Sequence, residues 1–590
     1  MLGERRNRSV AVDDADDDAA GAPPGAARGA RALPAARSAL RFVLGPVLGR
    51  LTPAPGSVWR DPVTWTVAAV VLSAYFVISL FRLLQLTPGS YDLGIYTEYV
   101  KQLSQLHAPI VDVLGAGFNL LGNHFQIAVG VIAPFFRLFP SPATLLFFQA
   151  LCAAVSVFPV AAAGTALAGR NTGRLIGFAY GFSWGLQQMI DFDFHEIALA
   201  VPLFAFSVSA LVRRRPVAAI AWALPLVFVE ESQGFTVAAI GVVLGASAAF
   251  PSLLPPLAPG SAPPGLPGPP ASSGGAARLG GRSLAGDRAG DDSFVALWGG
   301  LLLMAWGLFW STFAITVIIP HFNPLHEYYF FLHDGGAIGG GHFSAVKLIV
   351  QAGGGWPVKA QTLALLLLPT AFAALGSPVA LIALPSVALR FVSTNAAFWG
   401  TGFHYDATVM PILFIAAADG IRRWRRTTAL AWPRQVSAAV ASGRSVPGLG
   451  RGTLDALHAA RVGMVKHGGP MMAAIAVALA FQFPLSNLWH AATYKLDAHV
   501  AAANAAMAVV PDGATVQTTL DLLAPLAART DTFWIGNAGN PVTQYIVFDG
   551  PDSGYNPPVT NVPAFIAGLY PDDGYVQVFD RDGVYVFRRG

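Results

Sequence analysis

Apolar residues in this chain come in long runs separated by short polar turns. Val63–Leu86, Phe294–Ile319 and Met471–Leu488 are almost free of charge, and a helix of that length crosses a hydrocarbon core of ~30 Å. Several such runs imply a helical bundle in lipid, where only helices and closed barrels satisfy their own backbone. The pattern predicts a polytopic α-helical membrane protein of about eleven transmembrane helices: 63–86, 142–168, 174–190, 197–212, 217–231, 234–250, 294–319, 361–376, 378–394, 407–421 and 470–489. Beyond these the periodicity changes. Ala514–Thr519, Gln544–Phe548, Tyr575–Phe579 and Val584–Phe587 read as short strands after a Pro511–Asp512–Gly513 turn, giving a small α/β domain over 491–590.

Composition agrees. Of 590 residues 54% are hydrophobic and only 12% charged, against about 25% charged in ordinary soluble domains. The net charge of +4 is small and sits in Arg clusters near the ends of apolar runs, so it marks topology rather than a nucleic-acid partner. Short loops rich in Arg stay in the cytoplasm. Fixing Arg5–Arg8, Arg170 with Arg174, Arg213–Arg215 and Arg422–Arg426 inside threads the chain through the plasma membrane. Residues 1–62 become a cytoplasmic tail and 63–250 an N-terminal membrane region with a large outer loop, 87–141. A Pro/Gly-rich cytoplasmic linker follows over 251–292, then a second membrane region, 293–490, with an inner loop 422–468. The 491–590 domain falls outside the cell. The single Cys152 lies in an apolar run, where it packs.

This threading uses only Arg, Lys and apolar length, yet it gathers the acids and histidines on the outer side. Ionisable groups at the hydrocarbon boundary are costly unless solvated, paired or used, so the cluster is a candidate site. Asp92, in Tyr91–Asp92–Leu93–Gly94–Ile95–Tyr96, suits a general base or the N-cap of a helix over 93–106. His124 opens an apolar stretch, 125–139, that reads as a helix lying at the interface. Asp191–Phe192–Asp193–Phe194–His195–Glu196 packs four ionisable groups into six residues. Asp191, Asp193 and His195 could hold a divalent cation such as Mg²⁺ or Mn²⁺, while Asp193 could equally cap the next span. Glu230 and Glu231 are adjacent carboxylates at an apolar helix end, an arrangement that calls for a partner. The basic complement, His321, His326, His342, Lys347, Lys359, Arg390 and His404, suits phosphate, with Arg390 best placed for it. Gly339–Gly341 offers a hinge but no nucleotide-binding motif.

The order of these landmarks, together with His404–Tyr405 before Pro411 and the tail segments Val510–Ala514 and Leu523–Arg529, resembles a bacterial membrane-protein family known as domain of unknown function 2079. That family is similar to the C-type glycosyltransferases (GT-C), which move sugars from polyprenyl-phosphate carriers at the outer face of the membrane. The resemblance implies a GT-C-like fold and transfer of a sugar from a polyprenyl-phosphate donor to an envelope acceptor. Asp92, Asp193 and Glu196 would be catalytic acids. His124, His195, Glu230, Glu231, Arg390, His404 and Tyr405 would bind substrate. Many such enzymes carry two acids in tandem in the first outer loop, whereas Leu93 follows Asp92 here. The competing expectations are a non-catalytic transporter or flippase, with ionisable residues at mid-membrane, and an envelope scaffold, with these residues far apart.

Overall fold

The computed structural model describes residues 57–88, 90–254, 284–328, 338–339, 342–343, 350, 352–430, 451–555 and 557–590. The tail up to residue 56, linker residues 255–283, Gly340, Gly341, Lys347 and loop residues 431–450 lie outside them, as does the side chain of His342.

Helices dominate, and each of the eleven expected runs meets a helix or a broken helix. Among the described residues four are long and apolar enough to cross a membrane: Pro62–Leu84, Pro142–Ala168, Asp292–Phe322 and Ala459–Ala480. The others are shorter or interrupted, so the expected count of eleven crossings exceeds what helix length alone supports. Proline explains several breaks, since it removes a backbone donor and clashes with the preceding turn. The run 217–231 divides into Pro216–Ala223 and a 3-10 segment, Leu224–Phe228, at Pro225. The run 378–394 divides into Pro378–Ala383 and Leu384–Phe391 at Pro385. The run 174–190 breaks instead at Phe182–Ser183. Two boundaries move outward: the helix expected to end at 421 continues to Leu430, and the Leu284–Phe313 helix begins inside the expected linker.

Leu302 and Phe309 on the Asp292–Phe322 helix are 70% and 56% exposed, as side chains facing lipid would be. The opposite face packs on Gln233–Ala249 through glycine. A Cβ on Gly241 would lie 2.5 Å from the Gly300 carbonyl oxygen, and one on Gly307 would lie 2.2 Å from that of Gly234. The backbones touch, which is how small residues drive helix association in lipid.

Contacts gather the Arg-rich turns at one end of the bundle and the acids at the other. At one end Arg174 Nη2 and Arg170 Nη2 reach Asp61 Oδ1 at 2.5 and 3.1 Å, and Arg425 Nη1 donates to the Ala168 carbonyl at 2.8 Å. Arg423 donates to the Leu253 carbonyl at the same end. The opposite end carries the first outer loop, the 191–196 turn and the Glu230–Glu231 pair. The stretch 125–139 folds as Ile127–Ile132 followed by Ala133–Leu138, with Ile127, Val131, Phe135, Leu138 and Phe139 exposed. The single helix expected there is two short segments that share an exposed apolar surface.

The C-terminal domain is a five-stranded sheet. Its strands are β1 (Thr515–Thr518), β2 (Asp531–Trp534), β3 (Tyr545–Asp549), β4 (Tyr575–Arg581) and β5 (Val584–Arg589). Their order is β2-β1-β3-β5-β4, with β2, β1 and β3 parallel and β5 antiparallel to both β3 and β4. The β2 strand was not expected; four of the five were. Alternation along β3 sends Val547 toward the Ala498–Val509 helix, and Ile546 and Phe548 toward Val562–Leu569. The domain docks on the first outer loop. Lys101 Nζ donates to the Thr530 carbonyl at 2.6 Å, Asn537 Nδ2 donates to the Val113 carbonyl at 2.7 Å, and Leu523 and Ala524 share one apolar cluster with Leu93 and Ile95.

Candidate functional site

A cavity of about 260 Å³ opens at the acid-rich end. Asp92, His124, His195, Glu196, Glu230, Arg390, His404 and Tyr405 all line it. Eight of the expected site residues, drawn from six separate segments, thus converge on one space.

Asp92 begins the helix Asp92–Ser104, in its first turn. The expected capping role does not hold: Tyr91 occupies the N-cap, and the Asp92 carboxylate instead accepts the Ser90 hydroxyl at 2.6 Å. A carboxylate in the first turn is still favoured by the helix dipole. One turn on, the same face brings Tyr96 over the cavity, and its hydroxyl meets both Glu196 Oε2 and Gln126 Oε1. Tyr96 and Gln126 were missed because neither is an acid, a histidine or a cation; the i, i+4 spacing from Asp92 to Tyr96 was the available signal.

Glu196 sits at the N-cap of Ile197–Val212, the position the sequence offered to Asp193. It is 1% exposed, and His195 Nδ1 approaches its Oε2 at 2.6 Å. Glu196 Oε1 is buried without a hydrogen-bond partner. The His195 ring stacks on His404 with centroids 3.6 Å apart. Two imidazoles that close cannot both carry charge cheaply. Burial, reinforced by His195 and Arg390, pushes His404 well below the usual imidazole range. His404 is therefore neutral, and its Nδ1 is buried without a hydrogen-bond partner.

The Glu230–Glu231 pair divides its partners. Glu230 accepts from the Ser232 hydroxyl at 2.5 Å and from Gln233 Nε2 at 2.6 Å. Glu231 accepts from His124 Nδ1 at 2.8 Å, the Phe125 amide at 3.0 Å and the Tyr328 hydroxyl at 3.0 Å. Burial disfavours charge on His124, yet the Glu231 carboxylate overrides it and raises the imidazole to about 9. A π-helical turn, Ala314–Ile318, packs against Phe125 and Tyr328 and shapes this wall.

Three expectations move. Asp191 and Asp193 do not gather around a cation with His195, because Arg82 takes both: its Nη1 lies 3.1 Å from Asp191 Oδ1 and its Nε 3.8 Å from Asp193 Oδ1. Asp193 is 3% exposed and does not line the cavity, so it is a structural anchor. Among the described residues the ligand atoms that do converge at this end belong to His124, Glu230 and Glu231. Arg390 lines the cavity but is not free. Its Nη1 meets Asp406 Oδ1 at 2.5 Å, while Nε and Nη2 donate to the Phe398 and Gly400 carbonyls at 2.9 and 3.0 Å. Asp406 offsets its charge, leaving one Nη1 hydrogen for a ligand. Lys359 is absent from the lining; its ammonium lies over the Trp399 ring at 4.3 Å. Tyr91, also in the lining, stacks on Trp534 of β2 at 5.8 Å, so the C-terminal domain borders the site.

Solved structures similar to this chain include ArnT from Cupriavidus metallidurans bound to undecaprenyl phosphate, at 14% identity and a TM-score of 0.46, covering 88% of this chain and 97% of that one. The oligosaccharyltransferase of Archaeoglobus fulgidus in its apo form is similar at 12% identity and a TM-score of 0.31, covering 89% of this chain and 74% of that one. AglB from the same organism, in complex with an inhibitory peptide and a dolichol-phosphate, gives 11% identity and 0.28 over the same shares. No curated protein matches. The model of one family, described as predicted membrane protein of domain of unknown function 2079, matches residues 82–443, and the chain belongs to that family.

Proposed function

We propose that this protein is an inverting glycosyltransferase, taking a sugar from a polyprenyl-phosphate carrier and passing it to an envelope acceptor at the outer leaflet. On this reading all eleven apolar segments cross or enter the membrane in a GT-C-like bundle. The N-terminus is cytoplasmic, and the C-terminal domain lies outside beside the site. The observation that carries the proposal is the convergence of Asp92, Glu196, Glu230, Arg390 and His404 on one cavity at one end of the bundle. A scaffold gives no reason for such convergence, and a transporter would set its ionisable groups at mid-membrane rather than at span ends.

In the reaction the acceptor hydroxyl oxygen attacks the anomeric carbon and gives its proton to the Asp92 carboxylate. The bond from that carbon to the phosphate oxygen breaks, and the lipid phosphate leaves with the electron pair. Negative charge builds on the phosphate, so donors aimed there matter most. The neutral His404 and the remaining Nη1 hydrogen of Arg390 supply them. A Mn²⁺ ion at His124, Glu230 and Glu231, displacing the proton that His124 otherwise holds, would offset the carboxylates that otherwise repel phosphate.

The test is Asp92→Asn in purified, folded protein given a polyprenyl-phosphate sugar donor. Loss of a general base lowers turnover by about 10²–10⁴-fold. Undiminished transfer would remove Asp92 from the base role.

A further inference from the structure

A second group of chemistry-bearing side chains lies in the C-terminal domain, outside the cavity. The strand order β2-β1-β3 means that the chain leaves β1 for β2 on one side and later returns to pair β3 on the other. Open α/β sheets bind ligands outside the carboxyl ends of parallel strands at such a reversal, because the two ends diverge and leave a crevice. Asp521 follows the carboxyl end of β1, and Asp549 ends β3. They are 5% and 1% exposed. His499, the second residue of the Ala498–Val509 helix, enters from one face, and Asp552 enters from the turn after β3.

The hydrogen bonds aim these groups at a shared centre. His499 Nδ1 donates to the Asp582 carbonyl at 2.9 Å, which fixes the ring and turns Nε2 toward Asp549 Oδ2 at 2.8 Å and Asp552 Oδ2 at 3.7 Å. A backbone carbonyl on the far nitrogen is the usual second partner of a metal-ligating imidazole. The Thr519 hydroxyl donates to Asp521 Oδ1 at 2.8 Å and accepts the Asp549 amide at 3.2 Å, holding the two carboxylates side by side. Asp521 Oδ2 is buried and receives no hydrogen bond. Asp549 and Asp552 turn carboxylate oxygens toward one imidazole nitrogen, and the buried Asp521 Oδ2 lacks a donor, so a cation there would supply the missing partner.

We infer that His499, Asp549 and Asp552, backed by Asp521, form a divalent-cation site at the carboxyl edge of the β1–β3 pair. One imidazole among carboxylates suits Mn²⁺ or Zn²⁺ better than Mg²⁺ or Ca²⁺, which take oxygen ligands alone. The ion would pin the Ala498–Val509 helix and the β4–β5 turn to the sheet, and so stiffen the domain that borders the outer-end cavity.

The experiment uses the full chain in detergent, stripped with chelator and titrated with MnCl₂ or ZnCl₂ while binding and unfolding temperature are followed. One ion bound per chain at this site, beyond any held by His124, Glu230 and Glu231, with a rise in unfolding temperature, is expected. Asp552→Ala, at an exposed position that leaves packing intact, weakens binding about 10–100-fold. Asp521→Asn weakens it as well, and Glu230→Gln, which removes a ligand of the other described cluster, leaves it unchanged. The inference is overturned if neither metal binds. It is equally overturned if Asp552→Ala and Asp521→Asn bind as the parent does, or if Asp521→Asn stabilises the stripped protein and metal adds nothing. That last result would mean the acids merely share a proton. Sugar transfer is read in none of these arms, so failure here leaves the proposed reaction standing.

Discussion

Asp406→Asn should unfold this protein more easily than any change of similar size at its surface. Arg390 is 3% exposed and Asp406 0%, and Asp406 supplies the countercharge to the guanidinium. Removing one partner of a buried ion pair costs about 3–5 kcal/mol, because the other charge stays behind without compensation. Replacing both by apolar residues has a different sum. A buried pair exchanged for hydrophobic residues ranges from about neutral to about 4 kcal/mol more stable, and the Phe398 and Gly400 carbonyls each lose a donor at roughly 1 kcal/mol. The double variant Arg390→Met, Asp406→Leu therefore lands within about 2 kcal/mol of the parent, well above Asp406→Asn alone. Denaturant unfolding of the purified protein in mixed micelles, read by Trp fluorescence, gives both values. If Asp406→Asn costs less than about 1 kcal/mol, the pair behaves like one in water, and the description of Arg390 as buried and charge-balanced is wrong.

Two further outcomes follow from packing and burial. Gly241→Leu drives a side chain into the Gly300 carbonyl, which a Cβ would already approach to 2.5 Å. The helix pair must then part, so thermal unfolding in detergent should drop by more than the about 1–3 kcal/mol of ordinary overpacking. Glu98 is buried in the outer-loop helix, with Oε2 accepting the Val113 amide at 3.0 Å, and burial raises it to about 8. Because the folded state then holds a proton that the unfolded chain releases near 4.5, stability falls as pH rises from 4.5 toward 8. Glu98→Gln should flatten that slope, and an unchanged slope would remove Glu98 as its source.

What the sequence made legible divides along physical lines. Apolar length is a local property, so Ile197–Val212 and Pro142–Ala168 came out with the expected bounds. The grouping of residues was legible too, since Arg position alone separated the Asp61–Arg174 contacts from the Glu230–Glu231 cluster. Partnership was not. Asp191 and Asp193 read as candidate metal ligands, with capping the alternative for Asp193, until Arg82, 109 residues from Asp191, claimed them. Arg390 read as well placed for phosphate, and Asp406 takes part of its donor capacity. In each case the residue type was noticed and its electrostatic balance was set by a residue on another helix, which no spacing rule encodes. Tyr96 and Gln126 escaped for the opposite reason: their chemistry becomes visible only when Glu196 arrives beside them.

The same logic bears on the acid at the centre of the proposal. Asp92 stands in a helix whose next turn has no room to spare, since a Cβ on Gly94 would lie 3.0 Å from Leu523 Cβ. Lys101, farther along that helix, is tied to Thr530 across 429 residues of sequence. Tyr91, on its other side, stacks on Trp534. The carboxylate is thus positioned by the C-terminal domain as much as by the membrane bundle. A motif of six residues could mark Asp92 as a candidate, but the geometry that would make it a base requires the sheet to fold and dock. Glycine at 94 is the residue that permits the approach, and its value lies wholly in what it leaves room for.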